Sequence, residues 1–185
     1  MKFVIIHGSN GTPDSNWFQY LKKEIEKKGH EVILPAFPNS PEQSLTNWMK
    51  VFTPYLSKID SNTVFIGHSL GPSFILSVLE KVNVKVKACF FVAGFTGPLG
   101  IDLDAINYTF TEKEFNWNKI KQNCSKFICY ASTNDQYVPL TKVEELCKQV
   151  SGELIIINNA GHFRASDGYI EFKQLLDKIN TLKNF

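Results

Sequence analysis

Six short, nearly continuous apolar runs recur along the chain with helical patterning between them, and this alternation narrows the choice of fold most sharply. The runs are Phe3 to Ile6, Glu31 to Leu34, Thr63 to Ile66, Lys87 to Val92, Lys126 to Ala131 and Glu153 to Ile157. A strand covered on both faces reads this way because neither side meets water, whereas a half-exposed strand alternates. Asp14 or Ser15 can cap a first helix with Trp17, Leu21 and Ile25 on one face and Lys22, Lys23, Glu26 and Lys27 on the other, ended by Gly29. Ser40-Pro41-Glu42-Gln43 reads as a capping box opening a second helix through Leu45, Trp48, Met49, Phe52 and Leu56, with a kink expected at Pro54. Ser73 to Leu79 is apolar on nearly every side, so that helix is buried. Leu140 to Val150 forms another, and the last carries Ile170, Phe172, Leu175, Leu176 and Ile179. Strands alternating with helices predict an α/β chain, a three-layer α/β/α sandwich around a six-stranded, mostly parallel sheet.

The 185 residues correspond to one domain, 1–185, with the irregular stretch 94–118 as a cap-like excursion over the sheet's edge. Lys and Arg number 20 against 18 Asp and Glu, so the chain carries no polyanion-binding charge excess, and no nucleic-acid partner is expected. Phosphate-loop and dinucleotide fingerprints are missing, which removes nucleotide cofactors from the expected reading. No apolar run approaches the roughly 20 residues needed to span a bilayer, and Phe3 to Ile6 is too short for a secretory signal. Cys89, Cys124, Cys129 and Cys147 lack metal-ligand or disulfide-framework spacing and read as reduced, structural thiols of a cytoplasmic protein. No cofactor and no metal is expected.

Chemistry enters at Gly67-His68-Ser69-Leu70-Gly71, a G-x-S-x-G motif that follows a strand and precedes a helix. That turn is tight enough to strain its central residue, which lifts Ser69 Oγ above the carboxyl end of the sheet. The Leu70 N–H then lies at the start of the next helix, where it can meet a developing oxyanion. A serine hydroxyl needs a base, and the base needs an orienting acid. Asp135, in Ser132-Thr133-Asn134-Asp135-Gln136-Tyr137-Val138-Pro139, and His162, in Asn158-Asn159-Ala160-Gly161-His162-Phe163, each follow a later strand. Parallel strands end on one side, so all three emerge at the same edge. The second oxyanion donor is expected in His7-Gly8-Ser9-Asn10-Gly11, with the Ser9 N–H preferred and that of Asn10 second.

The strand followed by His-Gly, the Gly-His-Ser-Leu-Gly elbow, the Asp-x-x-Val-Pro loop and the Gly-His-Phe near the end resemble the small serine hydrolases of the retinoblastoma-binding-protein and YdeN-like type. The likeness runs over nearly the whole chain, including the segment around Trp17 and Phe115-Asn116-Trp117. It implies a reduced α/β-hydrolase fold without the antiparallel hairpin of larger members, and a triad on Ser69, Asp135 and His162. It implies no particular substrate. Pro72 departs from the pattern, but it falls in the first helical turn, where a missing N–H is tolerated.

Each assignment has a plainer rival. Asp135 could cap the helix that follows, and Asp102 and Asp104 compete for the acid's role. His7 and His68 are expected to be structural. Asn10, Trp17, Phe95, Tyr137 and Phe163 could touch substrate, although aromatic side chains most often build cores. The expected activity is hydrolysis of small acyl esters through an acyl-enzyme. Thioester or amide hydrolysis by the same triad is the alternative, as is a hydrolase scaffold acting by protein binding. A Leu-x-Cys-x-Glu pocket-protein motif is absent, since Leu146-Cys147-Lys148 does not match it.

Overall fold

The computed structural model describes residues 1–182. Its six strands form one sheet, β1 (Lys2–Ile6), β2 (Glu31–Ile33), β3 (Thr63–His68), β4 (Ala88–Val92), β5 (Phe127–Ser132) and β6 (Glu153–Ile157), in the order β2-β1-β3-β4-β5-β6. Every adjacent pair is parallel. The order reverses direction between β1 and β3, which opens a crevice where the loops after these strands part; open α/β sheets place their ligands at such a point.

Seven α-helices cover the sheet among the described residues: α1 (Phe18–Glu26), α2 (Leu45–Leu56), α3 (Gly71–Leu79), α4 (Asp104–Thr111), α5 (Trp117–Gln122), α6 (Leu140–Gln149) and α7 (Lys173–Asn180). Alternate residues of the central strands face opposite layers. Val4, Ile6, Phe65, Cys89, Phe91 and Cys129 join one core with α2, α3 and α6. Phe3, Ile5, Val64, Ile66, Phe90 and Tyr130 join the other with α1 and α7. Period-two geometry thus divides one continuously apolar strand between two cores. The edge strand β6 is less covered, and Ile156 remains 45% exposed. The four cysteines are buried and free, with the sulfurs of Cys89 and Cys124 3.5 Å apart. No described helix is long and apolar enough to cross a membrane.

Three local expectations are corrected. The capping box at Ser40–Gln43 does not open α2; Ser44 does, accepting the Asn47 N–H at 3.2 Å, and Pro54 lies in the helix's last turn. Gln43 is instead drawn into hydrogen bonds with Asn10 of the loop after β1 and with Asn107 of α4, a tertiary demand that overrides local capping. The final helix begins only at Lys173, leaving Ile170 outside it and 66% exposed. The stretch 94–118 is more regular than its composition suggests. It joins the adjacent interior strands β4 and β5, contains α4, and packs Phe110 on Trp48 with ring centres 4.9 Å apart.

Candidate active site

Ser69 stands at the end of β3 with φ of 57°, a left-handed conformation that non-glycine residues adopt at a cost. Two close backbone approaches hold the turn. A Cβ added to Gly71 would lie 2.5 Å from the Ile6 carbonyl oxygen, and one added to Gly8 would lie 2.7 Å from Ser69 Cβ. The loop after β1 is therefore pressed directly against the serine. The Ser69 N–H is anchored on the Val92 carbonyl at 2.9 Å. Pro72 occupies the start of α3, where its missing N–H leaves no intrahelical bond unmade.

His162 and Asp135 meet across the loops after β6 and β5. His162 Nδ1 donates to Asp135 Oδ2 at 2.7 Å, and the Asp135 side chain is only 1% exposed. The other carboxylate oxygen accepts the N–H groups of Tyr137 and Val138 at 2.8 and 3.0 Å. Asp135 thus closes its own turn, as the capping alternative supposed, while still presenting an oxygen to His162. Because a carboxylate accepts at Nδ1, the neutral imidazole keeps Nε2 free of its proton. Its rivals are placed elsewhere: Asp104 accepts the N–H groups of Leu99, Gly100 and Ile101, and Asp102 is exposed.

Side-chain clamps fix the two loops to each other. Asn134 Oδ1 accepts the Gly161 N–H at 2.8 Å, Ser132 Oγ accepts the Ala160 N–H at 3.0 Å, and Thr133 Oγ1 accepts the Asn159 N–H at 3.1 Å. Asp167 Oδ2 accepts the backbone N–H groups of His162 and Arg164 at 2.9 and 3.0 Å. Burial opposes ionisation of Asp167, but these donors and the Arg164 guanidinium outweigh it and hold the carboxyl below its ordinary range. From below, His68 Nε2 donates to the His162 carbonyl at 2.8 Å. Burial, reinforced by His162 and Arg164, pushes the His68 pKa down to about 3, so this histidine is a neutral brace at pH 7.

The β1 loop is fixed from the opposite side. His7 accepts the Phe37 N–H at Nε2 (3.1 Å) and donates from Nδ1 to the Gly8 carbonyl (2.8 Å). Burial lowers its pKa, consistent with this neutral tautomer. The Asn10 N–H is spent on Gln43 Oε1 at 3.0 Å, which removes it from the oxyanion alternatives. Gln43 Nε2 donates to Asn107 Oδ1 at 2.9 Å, and Ser9 Oγ donates to the same oxygen at 2.7 Å. By contrast, the Ser9 and Leu70 N–H groups meet no protein acceptor among the described residues.

Ser69 and His162 line a cavity of about 320 Å³, together with Ser9, Asn10, Phe95 and Tyr137 of the expected contacts. Trp17 and Phe163 do not line it. Both are fully buried, and Trp17 Nε1 donates to the Phe163 carbonyl at 3.1 Å, so they brace the histidine loop from the core. Their size and the need to satisfy the indole N–H keep both rings in the core. Phe18, the neighbour of Trp17, stands in the cavity wall instead. Asn16, Leu99, Ile101, Leu103, Asn107 and Arg164 also line it. Only Arg164 had a sequence signal, its place two residues after His162.

Comparison with known proteins bears on the fold and the family. The chain is 27% identical over 179 residues to YdeN of Bacillus subtilis (strain 168), covering 96% of this chain and 93% of that one. It is 25% identical over 184 residues to the serine hydrolase RBBP9 of Rattus norvegicus, covering 98% and 95%. The solved structure of the B. subtilis ydeN product superposes with a TM-score of 0.92 at 26% identity, over 98% of this chain and 97% of that one. Polyneuridine aldehyde esterase, at 14% identity and a TM-score of 0.70 over 96% of both chains, shares the α/β-hydrolase fold. Residues 3–181 match the sequence pattern of the serine hydrolases, and with the strained serine at the switch point of an α/β-hydrolase sheet this chain belongs to that family.

Proposed function

We propose that the protein hydrolyses small acyl esters through an acyl-enzyme on Ser69. The observation that carries this reading is the 2.7 Å bond from His162 Nδ1 to Asp135, because it leaves Nε2 as an acceptor in the cavity that Ser69 also lines. Ser69 Oγ attacks the ester carbonyl carbon as His162 Nε2 takes its proton. The carbonyl π electrons move to oxygen, where the Ser9 and Leu70 N–H groups receive the negative charge. Asp135 stabilises the imidazolium without taking its proton. Collapse of the tetrahedral intermediate breaks the bond to the alcohol oxygen, which leaves with the proton from His162. Water, deprotonated by the same nitrogen, then releases the acid and restores Ser69.

Small substrates follow from the space. About 320 Å³ is near the lower bound of ligand pockets, roughly 300 Å³. The esterase named among the structural neighbours adds support of fold alone. The test is hydrolysis of 4-nitrophenyl esters of increasing acyl length by wild type and Ser69→Ala. Turnover should be confined to wild type and fall beyond medium chains. Equal turnover by the two proteins contradicts the reading.

A further inference from the structure

The cavity wall carries a guanidinium that the ester chemistry above does not use. Arg164 lines the cavity, and neither Asp nor Glu is among the residues lining it with Arg164. Its guanidinium carbon stands 4.7 Å from the centre of the Tyr137 ring, and Nη1 donates to the Tyr137 hydroxyl at 2.9 Å. Nε reaches Asp167 Oδ2 only at 3.5 Å, and that carboxylate oxygen already accepts two backbone N–H groups. The Nη2 protons meet no protein acceptor among the described residues. Arg164 is thus a donor fork held in one orientation with part of its hydrogen-bonding capacity unspent.

A neighbouring amide completes the feature. Asn16 lines the same cavity, and its Oδ1 accepts the N–H of Ala165, the residue after Arg164, at 3.0 Å. A backbone N–H can only donate, so this bond fixes the amide's orientation: oxygen toward Ala165 and Nδ2 on the other branch, with no protein acceptor among the described residues. Asn16 itself has φ of 54°, a conformation that asparagine tolerates better than most residues. A guanidinium and a primary amide, tied together through one backbone link, therefore both border the cavity with donors to spare.

We infer that Arg164 and Asn16 form an anion subsite, and that the favoured substrates are short acyl esters bearing a carboxylate, such as half-esters of dicarboxylic acids. This rests on the ester-hydrolase reading for the bond cleaved, but not for the binding itself. A carboxylate accepts two parallel N–H bonds from a guanidinium, while the Phe95, Leu99 and Leu103 side chains cover the methylenes between carboxylate and ester. Asp167 reduces the net charge felt in the cavity, so the preference is expected to be moderate.

The test compares kcat/KM for mono-4-nitrophenyl glutarate with that for 4-nitrophenyl pentanoate, each corrected for spontaneous hydrolysis, in wild type, Arg164→Gln and Arg164→Lys. Wild type should favour the half-ester by about tenfold. The ratio should fall toward unity in Arg164→Gln, be only partly retained in Arg164→Lys, which keeps the charge but not the two-pronged fork, and shrink with added salt. A ratio within each protein cancels any general loss from disturbing Tyr137 or Asp167, which a merely structural arginine would cause. A second arm titrates Ser69→Ala with uncleaved monomethyl or dimethyl glutarate, followed by NMR, with and without Arg164→Gln and Asn16→Ala. The monoester should bind more tightly, and each added substitution should weaken it. Turnover of both aryl esters without a charge preference overturns the anion subsite and leaves the hydrolase reading standing. Charge-selective binding in Ser69→Ala with no turnover by wild type does the reverse. Equal binding of the two methyl esters overturns the subsite whatever the turnover.

Discussion

The two walls of the cavity are built in different ways. On the sheet side, Ser69, Gly8 and His162 occupy loops that leave parallel strands and are held mostly by backbone geometry: a positive φ, a contact with no room for a Cβ, and clamped N–H groups. On the other side, Phe95, Leu99, Leu103 and Asn107 come from the β4–β5 connection, which meets the β1 loop through the buried amides of Asn107 and Gln43. The first wall constrains where atoms stand during reaction, and the second constrains which molecules fit. Changes on the sheet side should therefore act on kcat with large effects, and changes on the β4–β5 side on selectivity with small ones.

The largest expected effect is Asp135→Asn, with a fall in kcat on the order of 10⁴-fold because the amide favours the wrong imidazole tautomer. Stopped-assay kinetics with 4-nitrophenyl acetate measure it, and a loss below tenfold would contradict the acid's placement. Next is Gly8→Ala, whose added methyl collides with Ser69 Cβ. It should lower kcat by about 10²-fold with the thermal midpoint little changed, since displacements near 1 Å cost about that much. Gln43→Leu removes the acceptor of the Asn10 N–H and the donor to Asn107. Losing the buried bond to Asn107 should destabilise the fold by about 1 kcal/mol, read by urea denaturation, and losing the bond to Asn10 should loosen the β1 loop enough to reduce kcat several-fold. The smallest effect is Leu103→Ala, which should extend the acyl-length optimum while changing acetate turnover little.

A pH experiment sharpens the same comparison by addressing stability alone. His68 is buried and neutral, with its pKa pushed down to about 3 in the folded state. In the unfolded chain it titrates near the ordinary histidine value, about 6.5. Below that pH the unfolded state binds the extra proton, so stability present above about 6.5 is lost as pH falls toward about 3, by a total on the order of 5 kcal/mol. His68→Gln, which can keep a donor toward the His162 carbonyl, should flatten the dependence of the urea midpoint between those limits. An equally steep dependence in that variant would assign the acid lability elsewhere.

The difference between the walls also explains what could be read from sequence. Apolar runs announced the strands because burial on both faces leaves no alternation, and β6 matched even at a half-exposed edge. Gly8, Ser69, Asp135 and His162 were legible because each sits in a short loop at a strand's end, where steric limits restrict residue type. Gln43 was misread as a helix cap because a capping glutamine and a buried tertiary one look alike in sequence. Asn107 and Asn16 carry no local signal, since their roles depend on residues far along the chain, such as Ser9 at 98 positions and Ala165 at 149. Trp17 and Phe163 failed as contacts because nearness in sequence to functional residues does not decide which way a large ring turns.

The most direct measurement of the central claim is intact-mass and peptide analysis after treatment with a fluorophosphonate. The account predicts one stoichiometric adduct on Ser69, absent in Ser69→Ala and strongly slowed in His162→Ala although that protein remains folded. An adduct that persists in Ser69→Ala, or none at all on folded wild type, would contradict it.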